Sequence, residues 1–403
     1  MLTSNLLTTQ SNNPVSKLGF GLMRLPVENG EIDIAKTRRM VKRAIEAGIN
    51  YFDTAYPYHD GKSELIIGEI LKDFKREEYC LVTKFPGHEI RDTHDPKGVF
   101  EHQLQKCQVD YFDYYLLHNV NEQSIYVYLD KEINIIPYFL DQVKSGRIKH
   151  LGFSTHGSAK CIKKFLDSKI EYNNKSITIK DVMELCQIQY NYVDAKMQKA
   201  DEKYNLLVSY NIPVVVMEPV RGGKLAEPDE ALQKLRPNDT IASFAFRWLL
   251  EKENIAVILS GMSNEEQLED NLKTFYSYVP LTEEEKDALD TKADNLTHFI
   301  PCTGCKYCLD SCPKNLNIPF FMSSYNEAKF GPYLILGMQF DFISAEEQPD
   351  QCIKCRKCEQ ICPQNIKIAD HIEELISILK TIPKWADLCR EREEASKKLR
   401  EGK

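Results

Sequence analysis

Short apolar runs alternate with longer amphipathic segments along the first two thirds of the chain. Segments such as Lys36–Ala47 and Asn264–Tyr276 repeat apolar residues at helical spacing, which predicts helices between the runs. Strands that alternate with helices predict a parallel sheet, either open and doubly wound or closed as a (β/α)8 barrel. The eight runs that predict strands are Leu18–Leu25, Ile49–Asp53, Tyr79–Lys84, Asp113–His118, Lys149–Ser154, Met183–Gln189, Ile212–Met217 and Ile255–Leu259.

Three of these runs end in Asp53, Lys84 and His118, and Tyr58 follows the first of them in a turn that contains proline. An isolated carboxylate at the end of an apolar strand is costly to bury, so Asp53 needs a cationic partner. In a parallel barrel the carboxyl-terminal ends of all strands meet at one face, where these four side chains would converge. Taken singly, each has an ordinary explanation as a surface residue, a helix cap or a turn aromatic.

As a set, the four residues predict the reduction of a carbonyl group. We expect Tyr58 to protonate the developing alkoxide, with the Lys84 ammonium lowering the pKa of the phenol. Asp53 would pair with Lys84, and His118 would orient the substrate oxygen or assist the proton transfer.

The motif Phe-Asp-Thr-Ala at residues 52–55, followed in order by Tyr58, Lys84 and His118, closely resembles the fingerprint of the aldo-keto reductases. The resemblance extends over residues 14–280. It implies a (β/α)8 TIM barrel rather than a doubly wound sheet, and a nicotinamide cofactor held in the barrel mouth. No G-x-G-x-x-G motif follows a strand, so the sequence does not predict a Rossmann domain.

The resemblance also implies where the cofactor would bind. Ser154, Thr155 and Gln187 match the positions that hold the nicotinamide carboxamide, and Met217 stands where the family usually stacks an aromatic residue on the ring. Residues 221–224 would hold the pyrophosphate with backbone N–H groups and positive charge, although a Gly-Gly pair can also be a simple flexible turn. The full set of implied contacts is Gly21, Ser154, Thr155, Gln187, Met217, Arg221, Gly222, Gly223, Lys224, Gly261, Ser263, Gln267 and Asn271.

Two departures from the family bear on the choice of cofactor. Met217 is followed by Glu218 rather than a serine, and a thioether packs more adaptably against a ring than an aromatic side chain does. Residues 253–272 contain no Lys or Arg, although a cation normally meets the 2′-phosphate of NADP(H). Arg221 or Lys224 can take that place. The sequence therefore leaves NADP(H) and NAD(H) open, and the family favours NADP(H).

Eight of the 13 cysteines form two blocks near the carboxyl terminus. Each block has the spacing C-x2-C-x2-C-x3-C-P, the bacterial ferredoxin pattern for [4Fe–4S] clusters, in which the fourth cysteine of a block binds the other cluster. Structural zinc sites use pairs of ligands, which makes zinc the weaker alternative. We therefore assign one cluster to Cys302, Cys305, Cys308 and Cys362, and the second to Cys352, Cys355, Cys358 and Cys312.

The connection between the two cysteine blocks is longer than a compact bacterial ferredoxin needs. Ile318–Asn326 and Tyr333–Phe342 look helical and are apolar on one side, so we expect a mainly α-helical ferredoxin-like domain. Nearby cations would stabilise reduced clusters and dock an acidic electron carrier such as a flavodoxin or a ferredoxin, or they are ordinary surface charge. These cations are Lys306, Lys314, Lys354, Arg356 and Lys357.

The chain of 403 residues exceeds the size at which a single hydrophobic core stops growing. We divide it into a flexible lead (1–14), an aldo-keto reductase barrel (15–285), a ferredoxin-like domain (286–382) and a charged tail (383–403). A net charge of −8 argues against nucleic acid as a partner, and no apolar run approaches the length of a membrane span. The amino terminus carries no basic and apolar signal, so we expect a cytoplasmic protein.

The two kinds of cofactor transfer electrons differently. Nicotinamide transfers a hydride, whereas an iron–sulfur cluster transfers one electron, and a flavin normally connects them. The sequence has no flavin-binding fingerprint, so a bound flavin stays an open question. Our main hypothesis is an NAD(P)H-dependent oxidoreductase for small carbonyl compounds or alcohols with an added electron-transfer module. The alternatives are an electron-transfer protein whose barrel is only a scaffold, and a carbonyl reductase whose clusters are structural or sense oxygen.

Overall fold

The structure, a computed structural model, describes residues 1–91, 93–297, 300–330 and 334–401. The chain forms two compact units, one of Met1–Leu289 together with Arg392–Lys403, and one of Asp290–Glu391. The first boundary lies close to the predicted one, but the end of the chain joins the first unit. Within the described ranges, no helix combines the length and the apolar character needed to cross a bilayer.

The first unit contains a closed barrel of eight parallel strands, which confirms the predicted (β/α)8 fold and excludes the doubly wound sheet. The strands follow one another around the barrel in sequence order, and the eighth closes on the first. Most strand side chains are fully buried, as expected for parallel strands covered on both faces. The strands are Leu18–Gly21, Tyr51–Asp53, Cys80–Phe85, Phe112–Leu117, Ile148–Thr155, Cys186–Gln189, Val214–Met217 and Ile255–Ser260.

The register between the strands determines where their polar ends lie. Asp53 pairs with Gly21 on one side and with Val82 on the other. Lys84, two residues beyond Val82, pairs with Leu116 on the next strand. Asp53 and Lys84 therefore lie on neighbouring strands at the same end of the barrel, within reach of a lysine side chain.

Helices cover the outside of the barrel. The first begins at a capping carboxylate, where Asp33 accepts a hydrogen bond from the backbone N–H of Lys36. Gly68 lets the second helix approach the third, because a β carbon there would lie 2.5 Å from the backbone oxygen of Lys106. The helices of this unit are Ile34–Glu46, Lys62–Leu71, Pro96–Cys107, Ile125–Tyr128, Ile135–Lys144, Ala159–Asp167, Tyr192–Met197, Ala200–Ser209, Glu230–Leu235, Ile241–Leu250, Glu265–Tyr276 and the first part of Glu283–Thr297.

Two hairpins lie outside the barrel, and one of them replaces the predicted flexible lead. Residues 1–14, expected to be a flexible lead, instead form the strand Thr3–Thr8, which pairs antiparallel with Pro14–Ser16. The hydroxyl of Tyr114 donates to the backbone oxygen of Thr8 at 2.6 Å and accepts from its N–H at 3.0 Å, which ties this hairpin to the barrel. Residues 168–179, between the helix Ala159–Asp167 and the sixth barrel strand, contain a hairpin of Lys169–Tyr172 and Lys175–Thr178.

The second unit is mainly helical, as predicted. Its core packs helices Ile318–Lys329 and Ile368–Leu379 around side chains such as Phe321 and Leu375. The first of these helices confirms the one predicted from Ile318. The structure also has a helix at Leu334–Asp341, close to the predicted Tyr333–Phe342, although Tyr333 lies outside the described residues. The remaining helices are Tyr307–Ser311, Lys357–Gln360 and the start of Trp385–Arg400.

The carboxyl-terminal tail, whose charge predicts an exposed helix or a frayed end, forms the helix Trp385–Arg400, and several of its side chains are buried. Trp385 and Cys389 are buried against Met338 in the second unit. The following residues, from Arg392 onward, belong to the barrel unit, where Ser396 is also buried.

Candidate active site and cysteine cavities

Asp53 and Lys84 form a buried ion pair at the carboxyl-terminal end of the barrel. Lys84 Nζ donates to Asp53 Oδ1 at 2.6 Å and to the backbone oxygen of Thr54 at 2.7 Å. Burial raises the pKa of Asp53, with Lys84 opposing the shift. Burial lowers the pKa of Lys84, but Asp53 and Tyr58 outweigh this effect, so the net shift of the Lys84 pKa is upward. The ammonium therefore stays charged at neutral pH.

Tyr58 lies next to this ion pair. Lys84 Nζ donates to the Tyr58 hydroxyl at 3.4 Å and lies 4.9 Å from the centre of its ring. Burial raises the pKa of Tyr58, and the charge of Lys84 only partly opposes this shift. Lys84 thus acts on the phenol in the expected direction, but burial outweighs it and the net shift of the Tyr58 pKa is upward. A raised pKa keeps the hydroxyl protonated, which is the form that can donate a proton.

His118 completes the predicted set. Its ring centre lies 6.1 Å from that of Tyr58. Its backbone is fixed on both sides, because its N–H donates to the oxygen of Phe85 at 3.0 Å and its oxygen accepts from the Tyr128 hydroxyl at 2.5 Å. Burial, and then the nearby His88 and Lys84, hold the pKa of His118 well below 6.5. The imidazole is therefore neutral, and its Nδ1 has no hydrogen-bond partner among the described residues.

His88 is a site residue that the sequence reading missed. Its ring lies 4.4 Å from that of His118, measured between centres, and is itself buried. Burial and the charges of Arg392, His156 and Arg91 lower the pKa of His88 to about 3. The sequence does contain one indication of its role, because His88 lies in the loop directly after the strand that carries Lys84.

A buried polar network supports the strand that carries Lys84. Glu64 accepts from the Thr83 hydroxyl at 2.5 Å and from Gln103 Nε2 at 2.7 Å. Gln103 also donates to the backbone oxygen of Lys84 at 3.1 Å. Lys106 neutralises Glu64 through a buried ion pair. Because its members come from two helices and one strand, no local sequence pattern revealed this network.

The residues expected to hold the nicotinamide lie side by side. Gln187 pairs with Ser154 across neighbouring strands, and Thr155 follows Ser154. The Oε1 atom of Gln187 is buried and accepts no hydrogen bond from the described part of the chain, so it fits an amide donor of a bound carboxamide. The hydroxyl of Thr155 is already used, because it donates to Val120 and accepts from Gly157.

Met217 ends the seventh strand, beside Gln189 of the sixth. Its side chain is only partly buried. This position at the end of a barrel strand fits a side chain that packs against a flat ring, as the sequence predicts. Glu218, which follows it, has a left-handed backbone with φ of 56°. Burial raises the pKa of Glu218, and Arg24 opposes the shift.

The loop after the seventh strand differs from the prediction in its side chains. Arg221 does not face the groove, because its guanidinium is fully buried 3.4 Å from Asp194 and 3.1 Å from the sulfur of Met197. Its assignment to a cofactor phosphate is therefore wrong for the side chain. Lys224 is half exposed and pairs with Glu227 at 3.0 Å.

The backbone of this loop is also partly occupied. Residues 221, 223 and 225 donate their N–H groups to residues 218 and 220 within the turn. Gly222 and Gly223 have φ angles of 65° and 99°, which few residues other than glycine adopt. A β carbon at Gly223 would meet nothing within 4 Å, so this side of the loop is open to a ligand.

Arg24 supplies a cation that the sequence reading did not assign. Its Nη2 lies 3.0 Å from the place where a β carbon of Gly222 would be, and its own β carbon lies 3.1 Å from the equivalent place at Gly261. Arg24 therefore spans the two glycine segments expected to hold the cofactor. Its backbone oxygen also accepts from the Ser263 hydroxyl at 2.9 Å.

The residues expected at the adenosine end form a connected group. The N–H of Ser263 donates to Gln267 Oε1 at 2.8 Å, and Asn271 Nδ2 donates to Ser260 Oγ at 2.9 Å. Gly21 approaches the same strand end, because a β carbon there would lie 3.4 Å from the backbone oxygen of Ser260. The structure thus brings these positions together, although Asn271 is buried and its amide is already engaged.

Two cavities in the second unit are lined by cysteines, each with an empty volume of about 360 Å³. Each cavity takes three cysteines from one block and the fourth from the other block. Their other walls are largely apolar, with Ile318 lining both. Four thiols around one apolar space fit a [4Fe–4S] cluster. The first cavity contains Cys302, Cys305, Cys308 and Cys362, and the second Cys312, Cys352, Cys355 and Cys358.

The cations predicted to surround the clusters are not equivalent. Arg356 pairs with Glu359 at 3.1 Å and also with Asp370, and Lys354 pairs with Glu373 at 2.7 Å. These acidic partners neutralise two of the five predicted charges. Lys306 lines one cavity, and Lys314 and Arg356 line the other. No ion pair of Lys306, Lys314 or Lys357 occurs among the residues described.

Comparison with known proteins agrees with this geometry. The sequence model of the Aldo/keto reductase family matches residues 17–294, and that of the 4Fe-4S dicluster domain matches residues 301–367. The uncharacterized oxidoreductase YqkF of Bacillus subtilis is 27% identical over 321 residues, which cover 70% of this chain and 95% of that protein. The NADH-specific methylglyoxal reductase of Escherichia coli is 24% identical over 309 residues, which cover 64% of this chain and 89% of that protein.

A solved structure is similar to the barrel. The holo form of an aldo-keto reductase from Bacillus halodurans superposes with a TM-score of 0.55 and 25% sequence identity. The match covers 72% of this chain and 96% of that chain.

Proposed function

The chain belongs to the aldo/keto reductase family, and from this premise we propose that it reduces small carbonyl compounds, or oxidises the corresponding alcohols, by hydride exchange with a nicotinamide dinucleotide. The observation that carries the proposal is the position of Lys84. Its ammonium donates both to Asp53 at 2.6 Å and to the Tyr58 hydroxyl at 3.4 Å. This arrangement joins a proton donor to a charge that stabilises its conjugate base.

In the proposed reaction Tyr58 donates its proton to the carbonyl oxygen as negative charge develops there. Lys84 stabilises the resulting phenolate, and Asp53 keeps Lys84 charged and fixed. The neutral imidazole of His118 donates a hydrogen bond that orients the substrate oxygen. A bound nicotinamide supplies the hydride.

We propose that the dinucleotide is held by Gln187, Ser154, Met217 and the glycines of residues 222–223. We propose that Arg24 contacts its phosphates, since Arg221 is buried against Asp194. The resemblance to the family favours NADP(H), whereas the relative from Escherichia coli is named as specific for NADH. Direct binding of both dinucleotides decides between them.

We propose that the second unit carries two [4Fe–4S] clusters in its two cysteine cavities and exchanges single electrons with a partner. The proposed partner is a small acidic electron carrier, or a flavin bound to the protein. Cys305 and Cys355 are exposed, so clusters bound there would lie near the protein surface, where a carrier can approach. Such clusters require a reducing environment, and we propose the cytoplasm.

The test of the hydride chemistry is the variant Tyr58→Phe, with Tyr126→Phe as a matched control on an exposed tyrosine. Loss of the acid should lower the rate of carbonyl reduction about 10²- to 10⁴-fold, the usual contribution of general acid catalysis. The control should retain its rate, and both should keep their clusters. Unchanged turnover in Tyr58→Phe rules out its proposed role.

The connection between the cofactors is tested by mixing the cluster-loaded protein with NADPH or NADH without oxygen. Bleaching of the visible cluster absorbance within the turnover time supports electron exchange and requires a search for bound flavin. No bleaching, with carbonyl reduction intact, favours clusters with a structural or sensing role. Absence of both bleaching and dinucleotide binding favours the barrel as a scaffold.

A further inference from the structure

The turn that carries Arg24, between Leu22 and Leu25, is tied to the part of the chain that follows the second barrel strand. The hydroxyl of Ser63, at the start of the second helix, donates to the backbone oxygen of Leu22 at 3.1 Å. The backbone N–H of Leu25 donates to Nε2 of His59 at 3.3 Å. Two side chains that follow the second strand therefore hold the turn on both sides of Arg24.

His59 directly follows the candidate proton donor Tyr58. His59, Asp60 and Gly61 have φ angles of 50°, 55° and 85°, so three successive residues have a left-handed backbone. Such a backbone is unfavourable for most residues other than glycine, and it persists where the surrounding structure fixes it. Here the N–H groups of Gly61 and Ser63 donate to the backbone oxygen of Tyr58, at 3.1 Å and 3.2 Å. One tight turn therefore fixes both Tyr58 and the direction of the His59 side chain.

Nε2 of His59 can accept a hydrogen bond only while the ring is neutral and carries its proton on Nδ1. Burial lowers the pKa of His59, and Asp60 and the backbone of Met23 oppose this shift without reversing it. The ring is therefore neutral at physiological pH, which agrees with its contact with the N–H of Leu25.

On its other side, the turn reaches the expected dinucleotide site. Arg24 Nη2 lies 3.0 Å from the place of a β carbon at Gly222, and the backbone oxygen of Arg24 accepts from the Ser263 hydroxyl at 2.9 Å. Leu25, which His59 holds, is the next residue along the chain. A shift of Leu25 would therefore move Arg24 relative to both glycine segments.

We propose that His59 is a positioning residue that fixes Arg24 relative to Tyr58, and that it thereby couples dinucleotide binding to proton donation. This inference rests on the proposed function, in which Arg24 contacts the dinucleotide and Tyr58 donates the proton. The hydride and the proton must reach the same carbonyl group, so the holder of the dinucleotide and the proton donor need fixed relative positions. A misplacement of about 1 Å can slow a reaction about 10²-fold.

The first experiment measures dinucleotide affinity by fluorescence titration of the full-length, cluster-loaded protein with NADPH and with NADH. His59→Leu removes the acceptor and should weaken binding about 5-fold, a usual effect of losing one hydrogen bond between neutral groups. His59→Gln, whose amide oxygen can take the place of Nε2, should restore most of the affinity. Asp60→Asn changes an exposed neighbour with the same left-handed backbone and should bind as the native chain does. Equal losses in the Leu and Gln variants overturn the inference.

A double variant shows whether His59 acts through Arg24. In Arg24→Met the guanidinium is already absent, so the addition of His59→Leu should weaken binding by no more than about 2-fold further, within the range expected for coupled residues. A further loss as large as that in the native background overturns the inference, because His59 would then act independently of Arg24. Arg24→Met that binds as the native chain does also overturns it, without affecting the proposed carbonyl reduction.

Turnover of 4-nitrobenzaldehyde separates this inference from the proposed function. At saturating dinucleotide, kcat should fall about 5-fold or more in His59→Leu, because the proton donor is no longer held in place, and should recover in His59→Gln. An unchanged kcat overturns the coupling to Tyr58. If the native chain binds a dinucleotide but reduces no carbonyl compound, the proposed reaction fails, and the two binding tests still decide the link between His59 and Arg24. A native chain that binds neither dinucleotide overturns both proposals.

Discussion

The imidazole rings of His88 and His118 lie 4.4 Å apart between their centres, with their planes inclined by 62°. Both are neutral at physiological pH, because burial and neighbouring positive charges lower their pKa values. A neutral His118 can donate a hydrogen bond to a carbonyl oxygen. His88 helps to maintain that state by filling the space beside it.

This arrangement predicts how stability depends on pH. The pKa of His88 falls from 6.5 in the unfolded chain to about 3 in the folded protein, so only the unfolded chain binds a proton between these values. The stabilisation is complete above pH 6.5 and is lost as the pH falls toward 3. The loss should amount to about 1.4 kcal/mol per pH unit.

The measurement is thermal unfolding, followed by circular dichroism, at pH 7.5 and pH 5.5. The melting temperature of His88→Gln should fall less between pH 7.5 and pH 5.5 than that of the native protein. His150→Gln serves as the control, because that histidine is partly exposed and pairs with Glu184 at the surface. Parallel losses in His88→Gln and the native protein would contradict the prediction.

The Asp53–Lys84 pair predicts that a single variant is less stable than the corresponding double variant. Lys84→Met leaves the Asp53 carboxylate buried without a cation, which should cost about 3–5 kcal/mol of folding free energy. Adding Asp53→Asn removes the buried charge and should restore much of that loss. Carbonyl reduction should stay low in both variants. A double variant as unstable as the single one would show that the charge is not the cause.

The crossed arrangement of cysteines can be tested by combining variants. Cys312 lies in the first block but lines the cavity of Cys352, Cys355 and Cys358. The pair Cys352→Ala and Cys355→Ala should halve the iron content. Adding Cys312→Ala should remove no more iron, whereas adding Cys362→Ala should remove most of the rest. Further iron loss with Cys312→Ala, and none with Cys362→Ala, would assign the fourth ligands the other way.

Arg24 is expected to contribute to dinucleotide affinity. Because its guanidinium lies beside Gly222 at the open groove, Arg24→Met should weaken binding about 10-fold or more, as expected for loss of a charged hydrogen bond. Fluorescence titration with NADPH and NADH measures the effect. A loss confined to NADPH places Arg24 at the 2′-phosphate, and an equal loss for both places it at the pyrophosphate.

Lys224→Met is the matched control for Arg24, since Lys224 is paired with Glu227 at the surface. It should change the affinity for either dinucleotide little. A larger effect in Lys224→Met than in Arg24→Met would return the phosphate contact to the loop of residues 221–224, where the sequence placed it.

The resemblance to the aldo-keto reductases selected the barrel among parallel sheets. The sequence by itself determined the alternation of strands and helices, the order of Asp53, Tyr58, Lys84 and His118, and the grouping of the eight cysteines. These features are local patterns. Apolar runs fix where a strand ends, and a residue at the end of a parallel strand must lie at the common face of a barrel. The spacing of three cysteines within seven residues fixes which thiols can share one cavity.

Only the tertiary structure decided which charged side chains are buried and which lie at the expected cofactor site. Arg221 and Arg24 are equally cationic in the sequence, yet Arg221 is buried against Asp194 and Arg24 lies between the glycine segments. The sign of the Tyr58 pKa shift likewise depends on how much water burial removes, which composition does not reveal.

The two ends of the chain show the same limit of prediction from sequence. Residues 1–14 and 383–403 have the polar composition of flexible segments, yet Thr8 bonds to Tyr114 and Arg392 faces Glu89. These contacts join residues that are about a hundred and three hundred positions apart, whereas hydrophobic periodicity reports only on neighbours within a few turns. The sequence therefore specified which candidate catalytic groups meet, and the long-range packing specified what surrounds them.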